Sequence, residues 1–129
     1  MATIKSSKGS ESQIVSVGTY RPARLVPNSE IVDRIDSSDE WIQQRTGIES
    51  RRFAGPDESV IDMAQAASEM ALKRAKITIA DIDTVIVATI TFPYQAPSAA
   101  TALIERLGNP KAAAFDLSLI HISEPTRPY

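Results

Sequence analysis

Ser37-Ser-Asp-Glu-Trp-Ile-Gln-Gln-Arg-Thr-Gly-Ile48 is the stretch around which the chain is organised. It holds the only tryptophan, one helical turn before an arginine, and it closes on a glycine. Ser38 is placed to cap a short helix, with Asp39 and Glu40 in the first turn, where carboxylates suit the positive end of the helix dipole. Gly47 supplies the residue that adopts a left-handed conformation and stops the helix. Trp41 and Arg45 are four residues apart, so a helix puts them on one face. A flat aromatic beside a guanidinium can be ordinary packing, or a platform for a nucleotide base with a phosphate nearby. Spacing alone leaves both open.

With 129 residues, the chain is one domain at most. Its 43% hydrophobic content is that of a globular protein and excludes general disorder. A formal charge of −2 gives no electrostatic reason to expect nucleic acid or an anionic membrane as a partner. No run approaches the roughly 20 apolar residues of a membrane span. The longest, Val85 to Ile90, is strand-sized. Met-Ala-Thr-Ile-Lys-Ser-Ser lacks the apolar centre of a signal peptide, so a cytoplasmic location is the expectation. Cysteine is absent, which rules out disulfides, thiolate zinc sites and a cysteine nucleophile. No metal site is expected.

Working outward, residues 1–12 are polar and read as a loose tail. Gln13 to Tyr20 reads as a buried first strand, with Gly18 allowing a close backbone approach. Arg21-Pro22 and Val26-Pro27 punctuate a loop, and Asn28 is placed to cap a helix over Ser29 to Ile35. Glu49 to Ala54 reads as an exposed strand edge carrying Arg51 and Arg52, and Gly55-Pro56-Asp57 as a turn. Ser59 caps an alanine-rich helix to about Ala75 whose Ile61, Ala64 and Met70 share an apolar side. Thr78 and Asp81 have capping-box spacing. Asp83 to Ile90 is mostly β-branched and continuously apolar, which predicts a strand buried on both faces. Thr91 to Pro97 is then a loop at that strand's carboxyl end, where open α/β sheets place ligands. Ser98 caps a helix to Leu107, Gly108-Asn109-Pro110 ends it, and Ala112 to Asp116 starts another buried strand. The order of elements predicts an α/β fold with one layered sheet.

Asp-Glu-Trp-Ile-x-x-Arg-Thr-Gly-Ile followed by an Arg-rich strand resembles β-ketoacyl-acyl-carrier-protein synthase III, over Ile14 to about Asp116. The resemblance implies a thiolase-like fold, of which residues 13–116 would be part of the first half only. It also implies a condensing activity that starts fatty-acid synthesis from an acyl-CoA and malonyl-acyl carrier protein. Coenzyme A would enter as substrate, with no further cofactor. In the family the matching tryptophan stacks on the adenine of coenzyme A, which assigns that role to Trp41. Arg45 and Thr46 would sit at the same nucleotide end, and Ser37 stands where relatives often carry a threonine near the adenine. The loop before the Pro-Ser-Ala helix crosses a homodimer interface in relatives and lines the partner's acyl pocket. A bulky phenylalanine narrows that pocket in some members, and the matching position in this chain is Ala96.

The family's nucleophilic cysteine would fall at position 121, where this sequence has His121. His121 has no acid at a diagnostic spacing, and Pro125 and Pro128 oppose a long helix after it, so no catalytic residue is assigned. The decarboxylation histidine and asparagine of the family, and the arginine covering the other face of the adenine, belong to a second half that this chain does not match. Residues 117–129 read as non-native, from adapter read-through or a frameshift. The leading expectation is therefore a synthase III sequence without its catalytic residues, inactive by itself. The rivals are a binding or assembly module that pairs with a thiolase-like partner, and part of another thiolase-fold enzyme such as a polyketide starter synthase.

Overall fold

The computed structural model describes residues 12–117. Most of the expected tail at residues 1–12, most of the segment 117–129, and His121 lie outside them. Three helices and four strands follow one another as β1 (Arg24–Pro27), α1 (Asp39–Thr46), β2 (Ser50–Phe53), α2 (Val60–Ala75), β3 (Thr84–Ala88), α3 (Ala99–Leu107) and β4 (Ala113–Leu117). β1 and β2 form an antiparallel ribbon that pairs Val26 with Arg51. β3 and β4 run parallel, with Val85 opposite Ala114 and Ile86 opposite Phe115.

The helices start and stop where local chemistry directs. Ser38, Ser59 and Ser98 each accept a hydrogen bond from the backbone N–H three residues on, at 3.2 Å. The Ser59 N–H donates back to Asp62 at 2.8 Å, completing a capping box. Gly47 and Gly108 end α1 and α3 at φ values of 69° and 86°, where a side chain would be strained. Thr78 donates through its backbone N–H to Asp81 at 2.8 Å and closes the turn before β3.

The core lies between α2, α3 and the parallel pair. Ile61, Ala99 and Leu103 form its centre, with Ala64, Val85, Val87 and Phe92 packed around them. Burying Ile61 and Leu103 contributes roughly 1.5–3 kcal/mol each. Ala99 and Ala100 are fully buried. An ion pair between Arg106 and Asp62 joins α3 to the start of α2.

Several expectations are corrected. Gln13 to Tyr20 is not a buried strand: Ile14, Val15 and Val17 are exposed, and among the described residues no strand pairs with this segment. It lies along α2 instead, with the Ser16 hydroxyl donating to Ala71 O at 2.8 Å and Arg74 donating to Val17 O at 2.6 Å. Gly18 does permit the close approach expected of it, since a Cβ there would lie 1.9 Å from Ala67 O.

The helix expected over Ser29 to Ile35 is two 3₁₀ turns, Asn28–Glu30 and Val32–Arg34, because so short a segment cannot offset helix nucleation by itself. The segment before it contains β1, hidden from a sequence reading by its flanking prolines; Pro27 closes the edge strand, where a missing N–H is tolerated. The sheet is not one layer but two separate pairs. β3 is covered on one face only: Val85 and Val87 meet the core, while Ile86 is 52% exposed and its neighbour Phe115 44%.

Candidate functional site

α1 presents Trp41 and Arg45 as one unit. The Arg45 guanidinium carbon lies 5.8 Å from the centre of the Trp41 ring, within cation–π range, and the tryptophan is 55% exposed. The helix anchors through Ile42, its one buried residue. A half-open indole with a cation over one face leaves the opposite face free to stack on another flat, electron-rich ring.

The other residues expected near this end are used differently. The Thr46 hydroxyl donates to Ile42 O at 2.7 Å and accepts from the Ile48 N–H at 3.1 Å, so it is engaged in closing the helix. Ser37 lies just before the cap, and its Oγ is buried without a hydrogen-bond partner among the described residues. Ala96 is exposed in the loop before α3, with Phe92 and Tyr94 in edge-to-face contact beside it at 5.5 Å between centroids. Ser37, Trp41, Arg45 and Thr46 are thus gathered on or beside α1, whereas Ala96 belongs to the β3–α3 connection.

Beneath α1 sits Asn28, 1% exposed. Its Nδ2 donates to Asp39 Oδ1 at 2.7 Å and to Ile48 O at 2.6 Å, and its Oδ1 accepts from Arg51 at 3.0 Å. Two acceptors and one donor around one amide admit a single orientation of that amide. Hydrogen bonds from Gln43 and then Asn28 hold the Asp39 carboxyl below its ordinary pKa. Sequence reasoning makes Asn28 a helix cap, and nothing local in Pro-Asn-Ser distinguishes a cap from a buried hub. A hollow of about 280 Å³ lined by Arg24, Val26, Ile31, Arg34, Ile35 and Phe53 contains none of the expected site residues. Among the described residues no group of three or more acidic or histidine side chains could hold a metal, and no helix is long and apolar enough to cross a membrane.

No family model matches the chain. Known proteins do. β-Ketoacyl-[acyl-carrier-protein] synthase III 1 of Streptomyces coelicolor is 50% identical over 119 residues, which is 92% of this chain and 35% of that protein. Over that length the sequence matches a fragment of a β-ketoacyl-acyl-carrier-protein synthase III. The mycobacterial synthase III of Mycobacterium marinum is 52% identical over 105 residues, or 81% of this chain and 31% of that protein. The chain therefore spans about a third of the length of the synthases it matches. Among solved structures, the priming β-ketosynthase of the R1128 polyketide pathway superposes with a TM-score of 0.76 at 46% identity, covering 82% of this chain and 32% of that one. The synthase III of Thermus thermophilus superposes at 0.73 with 40% identity, covering 83% and 33%. The architecture is accordingly the α/β thiolase-like fold of the synthase III enzymes, present in part.

Proposed function

We propose that this sequence serves a condensing enzyme that joins an acyl-CoA primer to malonyl-acyl carrier protein, and that α1 forms part of the coenzyme A entrance. The observation that carries the reading is the Trp41–Arg45 pair, half exposed on a synthase III sequence. In such a reaction the acyl group leaves the coenzyme A sulfur for an enzyme thiol. Malonyl-carrier protein then loses carbon dioxide, and the resulting carbanion attacks the thioester, forming the carbon–carbon bond and freeing the thiol. With no cysteine, this chain has no thiol to accept the acyl group, so its part is substrate binding and it is inactive by itself. The complete enzyme is a homodimer in this reading, with the Ala96 loop at the acyl pocket.

The test is to sequence the gene past the codon for Asp116, express the longest continuous frame and assay condensation with acyl-CoA and malonyl-acyl carrier protein. Activity whose KM for acyl-CoA rises in Trp41→Ala supports the reading. A frame that stops at Tyr129, and yields a stable protein that binds a thiolase-like partner without condensing, would replace it with an assembly module.

A second reading is favoured by the superposition on a polyketide priming ketosynthase. There the same chemistry would start a polyketide, and in either reading the expected primer is larger than acetyl. The small Ala96 side chain supports a roomier pocket than a phenylalanine leaves, at about 0.8 kcal/mol for each methylene buried.

A further inference from the structure

We propose that Asn28 is the positioning residue of the Trp41–Arg45 platform: its buried amide fastens both ends of α1 to the β1–β2 ribbon and so fixes where the indole points. Asp39 is the first residue of α1, and Ile48 lies two residues past its last. One side-chain amide touches both, at 2.7 Å and 2.6 Å, while Arg51 of β2 holds the amide oxygen at 3.0 Å. The main chain of Asn28 adds a fourth tie, its N–H donating to Glu49 O at 3.2 Å.

The need for such a clamp follows from the helix itself. Eight residues are too few to hold a helix in water without outside contacts. Ile42 gives one apolar anchor, which leaves rotation about the anchor free. Trp41 is too exposed for core packing to set its direction. What remains is the pair of hydrogen bonds at the two ends, and both converge on one side chain. Satisfied buried amides of this kind specify geometry, because each lost partner leaves an unpaired polar group behind.

The functional meaning of the clamp rests on the proposed nucleotide role of Trp41, but its geometry does not, so the two are tested separately. The probe is the sole tryptophan of the 129-residue chain, followed by time-resolved fluorescence anisotropy at submicromolar concentration. In Asn28→Asp, a carboxylate faces Asp39 and the Ile48 carbonyl and repels both. The indole order parameter is expected to fall clearly below that of the parent chain, as the subnanosecond motion of the ring widens. Adding Asp39→Asn returns a donor to the pair, and the order parameter should recover at least in part. Asp39→Ala, at an exposed residue, removes the tie at the start of α1 together with the Gln43–Asp39 hydrogen bond and gives a smaller fall, with Gln43→Ala, which keeps the Asn28 tie, as its control. Far-ultraviolet circular dichroism, dominated by α2 and α3, reports whether the rest of the chain stays folded; if Asn28→Asp unfolds it, Asp39→Ala decides. An unchanged order parameter in a folded variant overturns the proposal, as does a fall that merely tracks loss of α2 and α3. No ligand enters this measurement. A Trp41→Ala synthase with unchanged KM would overturn the nucleotide reading and leave the clamp standing.

Discussion

Asp116 holds the first residue of α3: its Oδ2 accepts from the Ala99 N–H at 2.8 Å, while Oδ1 accepts from the Ala100 N–H at 2.7 Å. Ser98 caps the same helix from outside the strand pair, so two oxygens of Asp116 and one of Ser98 share its free amides. The carboxylate also suits the positive end of the helix. Because Asp116 lies on β4, this contact ties the strand to the helix whose preceding loop carries Ala96. Asp116→Asn turns an NH₂ group toward one of the two amides and is expected to destabilise the chain by about 1–2 kcal/mol, the range of a lost helix cap. A urea midpoint unchanged from the parent would show that the contact contributes nothing.

Gly18 makes the second testable contact. A methyl group there would overlap Ala67 O at 1.9 Å and Ala71 N at 2.6 Å, both backbone atoms of α2 that cannot swing aside. Gly18→Ala is expected to lift the 13–20 segment from the helix and to cost about 1–3 kcal/mol, as overpacking does. The Ser16 and Arg74 hydrogen bonds to Ala71 and Val17 should be lost with it. Faster hydrogen exchange confined to this segment, with α3 unaffected, is the expected pattern.

These contacts mark what can be read from sequence. Ser38, Ser59, Ser98, Gly47 and Gly108 are legible because a cap is written within four residues of where it acts. The Trp41–Arg45 pair is legible for the same reason, since i and i+4 meet on any helix. Asn28 is not, because its partners lie 11, 20 and 23 residues away and only the folded chain collects them. The burial of β3 escapes a sequence reading because an apolar, β-branched strand states what it can bury and not what is present to cover it. The nucleotide role of Trp41 comes from resemblance, not from spacing.

Acid should loosen the α2–α3 junction. Hydrogen bonds from the Ser59 hydroxyl and backbone, and then Arg106, lower the Asp62 pKa from its ordinary value to about 2. A carboxyl with a depressed folded-state pKa binds protons more readily when unfolded. Its contribution is complete above the unfolded value of about 3.9 and is lost as pH falls through about 2. Glu58, lowered by the Tyr20 hydroxyl, and Asp81, lowered by Thr78, act in the same direction. The urea midpoint should fall on acidification from pH of about 5 to 2, and Asp62→Asn should flatten that slope while lowering the midpoint at neutral pH. An equal slope in the variant would assign the acid sensitivity elsewhere.

The open face of β3 and β4 should drive self-association. Ile86 and Phe115 are paired across the strands, both exposed, with Ile90 at 72% exposure just beyond. Contiguous apolar surface of this kind favours association in water. Sedimentation velocity on the 129-residue chain is expected to show concentration-dependent species that Ile86→Lys with Phe115→Glu suppresses. Association unaffected by that pair of changes would move the contact to the exposed Ile14–Val17 edge.

Coenzyme A should bind this chain more weakly than millimolar. Stacking of a base on one aromatic contributes about 1–3 kcal/mol, whereas a millimolar dissociation constant already requires about 4 kcal/mol. Trp41 offers one ring, and Arg45 already lies over one of its faces, so a single face is left for the adenine. The resemblance to the synthase III enzymes implies an arginine on the other side of the base, in a part of those proteins that this chain does not match. The cost of ordering the ligand is met in full whether the site has one wall or two. The tryptophan fluorescence should therefore show no saturable change as coenzyme A is raised to about millimolar concentration. In equilibrium dialysis, binding should stay too weak to saturate at that concentration in the parent and in Trp41→Ala alike. A micromolar isotherm abolished by Trp41→Ala would mean that α1 binds the nucleotide without a second wall, and that Arg45 supplies more of the affinity than its place over the indole implies.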